Sequence, residues 1–451
     1  MELETCIGRV LVLVVLGTGS LLGIGPLRRW CLLHPRLVLS ALLAFDAALL
    51  LYATTPFVVS GYDEAQFVTD AHRVRGADLT VAWIRTPLPV LAIACSPHPA
   101  LPGILAKQLA TLAVYALVRR PLGVGYALFA ALYVSAAEEM VANCCEAVSE
   151  PYGAAGLAWF AFAVARGGPV ALFASATAGA MSRWQMLWLL PAAALVGWRR
   201  HGWRSMVVGS AAAAACFAIG LWLTDVDPWR AFVSERTREH AVVERIAFYL
   251  SPKVGLDVGP LGMLLALLGG AVLMRERPRS GLGACAVVYL IYFAGVVSVG
   301  VIVPRFLGPA VPLLVVVAVR GVASLVQRRP LLARPWPAAI LGALFVVASA
   351  IPVHAPRMRE RKLTSPQAPV ALERTAVLSA LGGAPLYSDV DAQKVAAILA
   401  RRCVAVGADH AETPDGQVER ARIPSGSLYL TYDVAGRTPL WSSGRLALVR
   451  W

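Results

Sequence analysis

Leu37-Val38-Leu39-Ser40-Ala41-Leu42-Leu43-Ala44-Phe45-Asp46-Ala47-Ala48-Leu49-Leu50-Leu51-Tyr52-Ala53-Thr54-Thr55-Pro56-Phe57 carries one charge, Asp46, and is followed almost at once by Gly61-Tyr62-Asp63-Glu64. A run of this length and apolarity matches the roughly 20 residues that a helix needs to cross a bilayer's hydrocarbon core. Similar runs recur near 7–26, 100–118, 122–138, 151–166, 168–182, 184–198, 205–223, 258–274, 282–303, 307–326 and 336–352. They predict an all-α polytopic membrane protein with about 11–12 transmembrane helices. Composition points the same way: 58% of the 451 residues are hydrophobic and 15% charged, where soluble domains carry about a quarter charged. A one-domain cytosolic enzyme, a disordered chain and a disulfide-stapled secreted module are excluded.

The formal net charge of +14 suggests nucleic acid only until its placement is read. Arginine supplies the excess, with lysine only at Lys107, Lys253, Lys362 and Lys394. Alternate short loops hold Arg28-Arg29-Arg36, Arg119-Arg120, Arg166, Arg199-Arg200-Arg204, Arg275-Arg277-Arg279 and Arg328-Arg329-Arg334. That bias marks the cytoplasmic side, so the mixed-sign loops 58–99, 139–150 and 224–257 face outward and nucleic acid is not an expected partner. The eight cysteines show no metal-ligand spacing and read as structural. Met1-Glu2-Leu3-Glu4 is acidic and no small-residue cleavage site follows a basic start, which argues against a secretory signal peptide.

After Ile351 the texture changes. Residues 356–365 read as a polar linker, and short apolar runs around Leu386–Asp389, Cys403–Val406, Leu428–Tyr432 and Leu446–Val449 flank an amphipathic stretch, Gln393–Arg401. This predicts a small extracytoplasmic α/β domain over 356–451 beside a transmembrane domain over 1–355.

The outward loops hold the chemistry. Asp63-Glu64 opens a helix-compatible run that closes on Gly76, with Phe67, Val74 and Asp70 on the face of Asp63. Such a carboxylate suits general-base work on a hydroxyl, but an acidic pair is equally an ordinary start of a helix. Glu138, Glu139, Glu146 and Glu150 crowd the second outward loop, and His98 lies between Pro97 and Pro99. Arg183 and Arg305 stand on the outer side against the positive-inside trend. Each matches phosphate oxygens as a guanidinium fork, or else pairs with a nearby glutamate or snorkels to head groups. Asp46, inside a span, must face the bundle. The charge run Asp227–Arg245 reads as a solvated helix face, with a lid as the second reading.

The order of these features resembles the integral-membrane glycosyltransferases of the GT-C class, which includes protein O-mannosyltransferases and aminoarabinose transferases of lipid A. The features are Asp63-Glu64 with its helix, Pro97-His98-Pro99, Ser149-Glu150-Pro151, Arg183 before an apolar run, and Arg305-Phe306 among spaced prolines. The likeness covers about residues 37–326. It implies that Asp63 and Glu64 are the catalytic pair, with Asp63 as base. The sugar comes from a polyprenyl-phosphate donor and goes to a hydroxyl of a lipid, glycan or protein acceptor, with inversion. Arg305, helped by Arg183 or by Arg73 and Arg75, would hold the donor phosphate, and Glu138, Glu139, Glu150 and His98 would meet the acceptor or substrate. A divalent metal, Mg or Mn, is used by some members of the class, and Asp63, Glu64, Glu138 and Glu139 are the only ligands in view here. The expected setting is a bacterial plasma membrane, among membrane lipids, with the site facing outward. An O-antigen polymerase or ligase and a lipid-linked-sugar flippase or transporter are the competing functions.

Overall fold

The structure, a computed structural model, describes residues 30, 32–59, 61–77, 79, 85–228, 241–249, 260–275, 282–298, 304–328, 354–406, 417–419, 422–432, 434, 436–444 and 446–451. The expected spans near 7–26 and 336–352, and most of loop 224–257, lie outside these residues. The chain is a helical membrane protein with one small C-terminal sheet, as the apolar runs predict. Its helices are α1 (Pro35–Thr54), α2 (Tyr62–Val74), α3 (Pro87–Ala94), α4 (Leu101–Leu122), α5 (Val124–Ala136), α6 (Glu138–Cys145) and α7 (Glu150–Arg166). They continue with α8 (Pro169–Ser182), α9 (Leu189–His201), α10 (Trp203–Thr224), α11 (Val242–Tyr249), α12 (Pro260–Arg275), α13 (Gly283–Ser298) and α14 (Val311–Arg328), the last preceded by a 3-10 turn, Pro304–Ala310.

Among the described residues, four helices are long and apolar enough to cross a membrane: Pro35–Thr54, Leu101–Leu122, Trp203–Thr224 and Arg305–Gln327. Val124–Ala136 and Glu139–Cys145 form a pair bent by 50°, and Pro169–Ser182, Leu264–Leu273 and Gly283–Ser298 are shorter apolar helices. Burial sorts them. Trp203–Thr224 has only 11% of its apolar window buried against 72% for Arg305–Gln327, so α10 presents its apolar side chains to lipid while the Arg305–Gln327 span lies at the centre of the bundle. Exposed Trp198 and Trp203 mark one end of this outer wall, beside the Arg199 and Arg200 pair, and Trp188 and Trp222 mark the other. These are the depths that amphipathic indoles favour. At the centre, a Cβ on Gly269 of α12 would overlap the Val317 carbonyl of α14, and one on Gly321 would overlap the Leu265 carbonyl. Glycine lets the two backbones meet, which is how helices associate where no water drives them together.

Asp46 is answered inside the bundle. Its oxygens accept 2.6 Å hydrogen bonds from Lys107 Nζ and Gln108 Nε2 on α4, and Lys107 also reaches the Ser135 carbonyl at 2.7 Å. Lys107 is fully buried. The charge cost of Asp46 is therefore met by a paired cation, with no tie to the outer loops.

The last hundred residues build α15 (His354–Leu363), α16 (Ala368–Leu372), α17 (Arg374–Leu381) and a six-stranded sheet around α18 (Ala392–Leu399). The strands are β1 (Leu386–Ser388), β2 (Cys403–Val406), β3 (Gln417–Val418), β4 (Leu428–Thr431), β5 (Pro439–Ser443) and β6 (Leu446–Arg450). The order is β3-β2-β1-β4-β6-β5, parallel from β3 to β4 and antiparallel at β6 and β5. One difference from the sequence reading matters. The polar stretch 356–365 is largely the helix α15, because Met358 and Lys362 recur at helical spacing and both are buried. The helix α2 is packed on the C-terminal residues: Phe67, Val68 and Ala71 share one apolar core with Val90 and Ile93 of α3 and with Val395, Ala396 and Leu399 of α18.

Candidate active site

The site begins with the first turn of α2. Gly61 enters it in an extended conformation; Asp63 and Glu64 sit in the first turn and Arg73 in the last, each sign where the helix dipole favours it. The chain leaves through Gly76 at φ +92°, a left-handed conformation that glycine adopts without strain. Neither nearby arginine is turned toward Asp63. Arg75 donates to the Ala94 and Ile93 carbonyls at 2.6 and 2.8 Å and to that of Ser96, closing the end of α3. Arg73 donates to the Thr224 carbonyl at the end of α10 and lies 3.6 Å from Asp225. The supporting role expected of these two is replaced by helix capping, because exposed carbonyls at helix ends need donors.

Asp63 lies instead between Arg85 and Arg305, in direct contact with both guanidinium groups. Arg85 also donates to Gln66 Oε1 and sits 5.2 Å over the Phe67 ring, one turn along the same face of α2. Arg305, in the Pro304–Ala310 turn, continues the chain of charges: its Nε is 3.6 Å from Glu150 Oε1, and Arg183 NH1 is 2.8 Å from that same oxygen. Ser149 Oγ accepts from Arg183 at 3.2 Å, and the Arg183 guanidinium lies 5.1 Å over Phe306. Gly153 makes room, since a Cβ there would come within 3.0 Å of Arg183 Cδ and 2.7 Å of Met186 Cε.

The outcome is an alternating row, Arg85, Asp63, Arg305, Glu150, Arg183, drawn from α2, the start of α3, the start of α7, the end of α8 and the turn before α14. The Arg183–Glu150 end is closed, with side chains 4% and 5% exposed, whereas Arg305, Asp63 and Arg85 are 38%, 17% and 19% exposed.

The other residues singled out from sequence fall around this row or behind it. Glu64, beside Asp63 in sequence, is fully buried and turned to other partners: Lys362 Nζ at 2.9 Å, the Ala147 amide at 3.2 Å and the Gly61 amide at 3.4 Å. It does not share the row with Asp63. Glu150 is the bridge between two arginines. Glu139 accepts from Asn143 at 3.0 Å and lies against Gly308, where a Cβ would come 3.1 Å from its Cγ, so it flanks the turn that carries Arg305. The side chain of Glu138 lies outside the described residues. His98 sits on the Lys362 side, its ring edge-on to Phe57 at 5.5 Å and its Nδ1 accepting from the Ala100 amide at 3.3 Å. Burial holds its imidazole below the usual range. Glu146 lies there too, its carboxyl pushed up to about 7 by burial and by the neighbouring Glu64 charge.

A divalent ion finds no matching ligand set among the described residues: no three His, Cys, Asp or Glu side chains converge. The donor chemistry explains it. Asp63 faces two guanidiniums and Glu64 an ammonium, so each carboxylate of the anticipated pair already meets fixed cations on separate partners.

Two residues of this arrangement escaped the sequence reading. Arg85 carried a usable signal, being an arginine in a loop that the charge bias assigns to the outer side, like Arg183 and Arg305. Lys362 carried none that local reading could use, because its neighbours Arg359, Glu360 and Arg361 make the segment look solvated.

The helical bundle with its small C-terminal sheet has a GT-C-like fold, as two solved structures show. Two solved structures align over nearly the whole chain, both of ArnT from Cupriavidus metallidurans. The apo form superposes with a TM-score of 0.64 and the form bound to undecaprenyl phosphate with 0.62. Each is 14% identical and covers 91% of this chain and 97% of that one. No family model matches the chain, and no curated protein matches it in sequence.

Proposed function

We propose that this protein transfers a sugar from a polyprenyl-phosphate carrier to a hydroxyl acceptor, on the side of the membrane opposite the cytoplasm. The observation that carries the reading is the open Asp63–Arg305 contact: a base and a phosphate-sized cation at one point, in a fold shared with a protein solved with undecaprenyl phosphate. Orientation rests on the arginine-rich loops of the sequence and the positive-inside trend.

In this reading the donor's phosphodiester displaces the Asp63 carboxylate from Arg305. The three guanidiniums and two carboxylates of the row leave one net positive charge, the charge that a phosphodiester neutralises. Asp63, so released, accepts the proton of the acceptor hydroxyl. The acceptor oxygen bonds to the anomeric carbon while the bond from that carbon to the phosphate oxygen breaks, and its electron pair leaves with the polyprenyl phosphate. The extra negative charge develops beside Arg305 and Arg183, where fixed cations stabilise it. Attack from the side of Asp63, opposite the arginine-held leaving group, inverts the anomeric centre. In the same reading Glu139, which flanks the Arg305 turn, meets the acceptor. Because arginines occupy the cation positions and Asp63 and Glu64 do not converge, no step is assigned to a divalent metal, and turnover should persist in a chelator.

The test is release of polyprenyl phosphate by purified protein from a panel of polyprenyl-phosphate sugars, with candidate hydroxyl acceptors and with or without EDTA. Turnover by the wild type and its loss in Asp63→Asn supports the reading. A wild type inactive on every donor, yet able to move one across a vesicle bilayer, would favour the flippase alternative.

A further inference from the structure

Behind the row of arginines, a second buried charge pair sits next to the proposed base and takes no part in the chemistry above. Lys362, on α15, is 1% exposed at its side chain and holds Glu64 Oε1 at 2.9 Å, with Glu64 fully buried. Its ammonium lies 5.2 Å over the Phe57 ring. One turn earlier, Arg359 clamps α15 to the end of α1: its NH1 donates to Tyr52 Oη at 2.8 Å, its Nε to the Thr55 carbonyl at 3.3 Å, and its guanidinium lies 4.4 Å over the Tyr52 ring. Glu64 in turn accepts from the Ala147 amide of the second outer loop and from the Gly61 amide at the start of α2. One carboxylate thus ties three segments that meet only in the folded protein.

We propose that Lys362 is a positioning residue for sugar transfer, acting through Glu64 to fix the rotation of the first turn of α2 and so the place of Asp63. The proposal rests on the glycosyltransferase reading for its kinetic consequences but not for its structural one. Adjacent helical residues are set about 100° apart, so locking Glu64 inward aims Asp63 at Arg85 and Arg305. A carboxylate carried about 6 Å from the helix axis moves about 1 Å for a 10° rotation of that turn, a displacement that can cost about 100-fold in rate. Proton transfer from the acceptor depends on that position, so the loss falls on the chemical step, while a loosened Asp63–Arg305 contact can only ease donor binding.

The experiment compares wild type, Lys362→Met and the double variant Lys362→Met/Glu64→Gln in nanodiscs. The single change strands a buried carboxylate and can fail to fold. The double change removes both charges, a replacement that buried pairs often tolerate, and keeps the test decisive. The expected result is a folded double variant with kcat lowered about 10- to 100-fold and donor KM no higher than that of wild type. Amide exchange over residues 61–66 should quicken in it while the sheet strands of residues 386–450 stay protected. A folded double variant with wild-type kcat overturns the proposal, as does one in which donor KM rises and kcat holds. If the wild type transfers no sugar, the functional reading fails by itself, and unchanged exchange at 61–66 would then overturn the positioning role separately.

Discussion

Replacing Asp63 with asparagine should have opposite effects on two measurements. In the free protein Arg305 is held by Asp63, so a donor phosphate must first break that contact. A charge-assisted hydrogen bond contributes about 1.5–3 kcal/mol. The pair is open to water, with Arg305 38% and Asp63 17% exposed at the side chain, so screening lowers the figure to about 1–2 kcal/mol. An asparagine amide competes for the guanidinium far more weakly. Asp63→Asn should therefore bind polyprenyl monophosphate about 5- to 30-fold more tightly than wild type. The same variant has no base for the acceptor, and its kcat should fall about 10²- to 10⁴-fold. Binding is read by titrating polyprenyl monophosphate into nanodisc-held protein and following the thermal transition and native mass spectrum; turnover is read by product release. Weaker or unchanged lipid binding would refute the competition for Arg305. Turnover near wild type would refute Asp63 as the base, whatever the binding shows.

Other consequences can be checked more briefly. Lys107→Met leaves Asp46 charged inside the bundle and should cost about 3–5 kcal/mol of stability, most of it recovered by adding Asp46→Asn; a thermal transition unmoved in the single variant would remove the pair from the stability account. Gly153→Val crowds Arg183 and Met186, and should raise donor KM about tenfold while costing about 1–3 kcal/mol in stability. Glu146 binds its proton more tightly folded than unfolded, so its contribution favours the native state at low pH and fades as pH climbs from about 4.5 to about 7. Glu146→Gln should flatten that fall and leave the protein more stable at pH 8, by at most about 3 kcal/mol; a variant with the wild-type slope would assign the titration to another group.

Much of the architecture could be read from single runs of sequence. Apolar length announced α1, α4, α10 and α14, because crossing hydrocarbon is a local requirement that each segment meets alone. The alternation of short apolar runs after Ile351 likewise announced the sheet. Asp63 stood out by its place at the exit of α1, and Arg183 and Arg305 by defying the charge bias. What escaped was pairing. Nothing near Asp46 points to Lys107, 61 residues on, nor anything near Glu64 to Lys362, 298 residues away. Such partners are chosen by how helices pack, and a buried lysine between Arg361 and Leu363 has the local texture of an exposed one. The same blindness made Glu64 look like a partner of Asp63: sequence adjacency suggests one site, whereas on a helix it turns the two side chains to different neighbours.

The shared core of α2, α3 and α18 has a consequence for biosynthesis. Phe67 and Val68 find their apolar neighbours at Val395 and Ala396, more than 300 residues later, and contacts so distant along the chain form late. The membrane bundle can insert as it is translated, but the helix bearing the acid lacks part of its core until residue 399 has been made. A ribosome stalled or terminated before that point would leave an inserted bundle with α2 not yet packed, and under the proposed function such a half-made product has no finished site for sugar transfer.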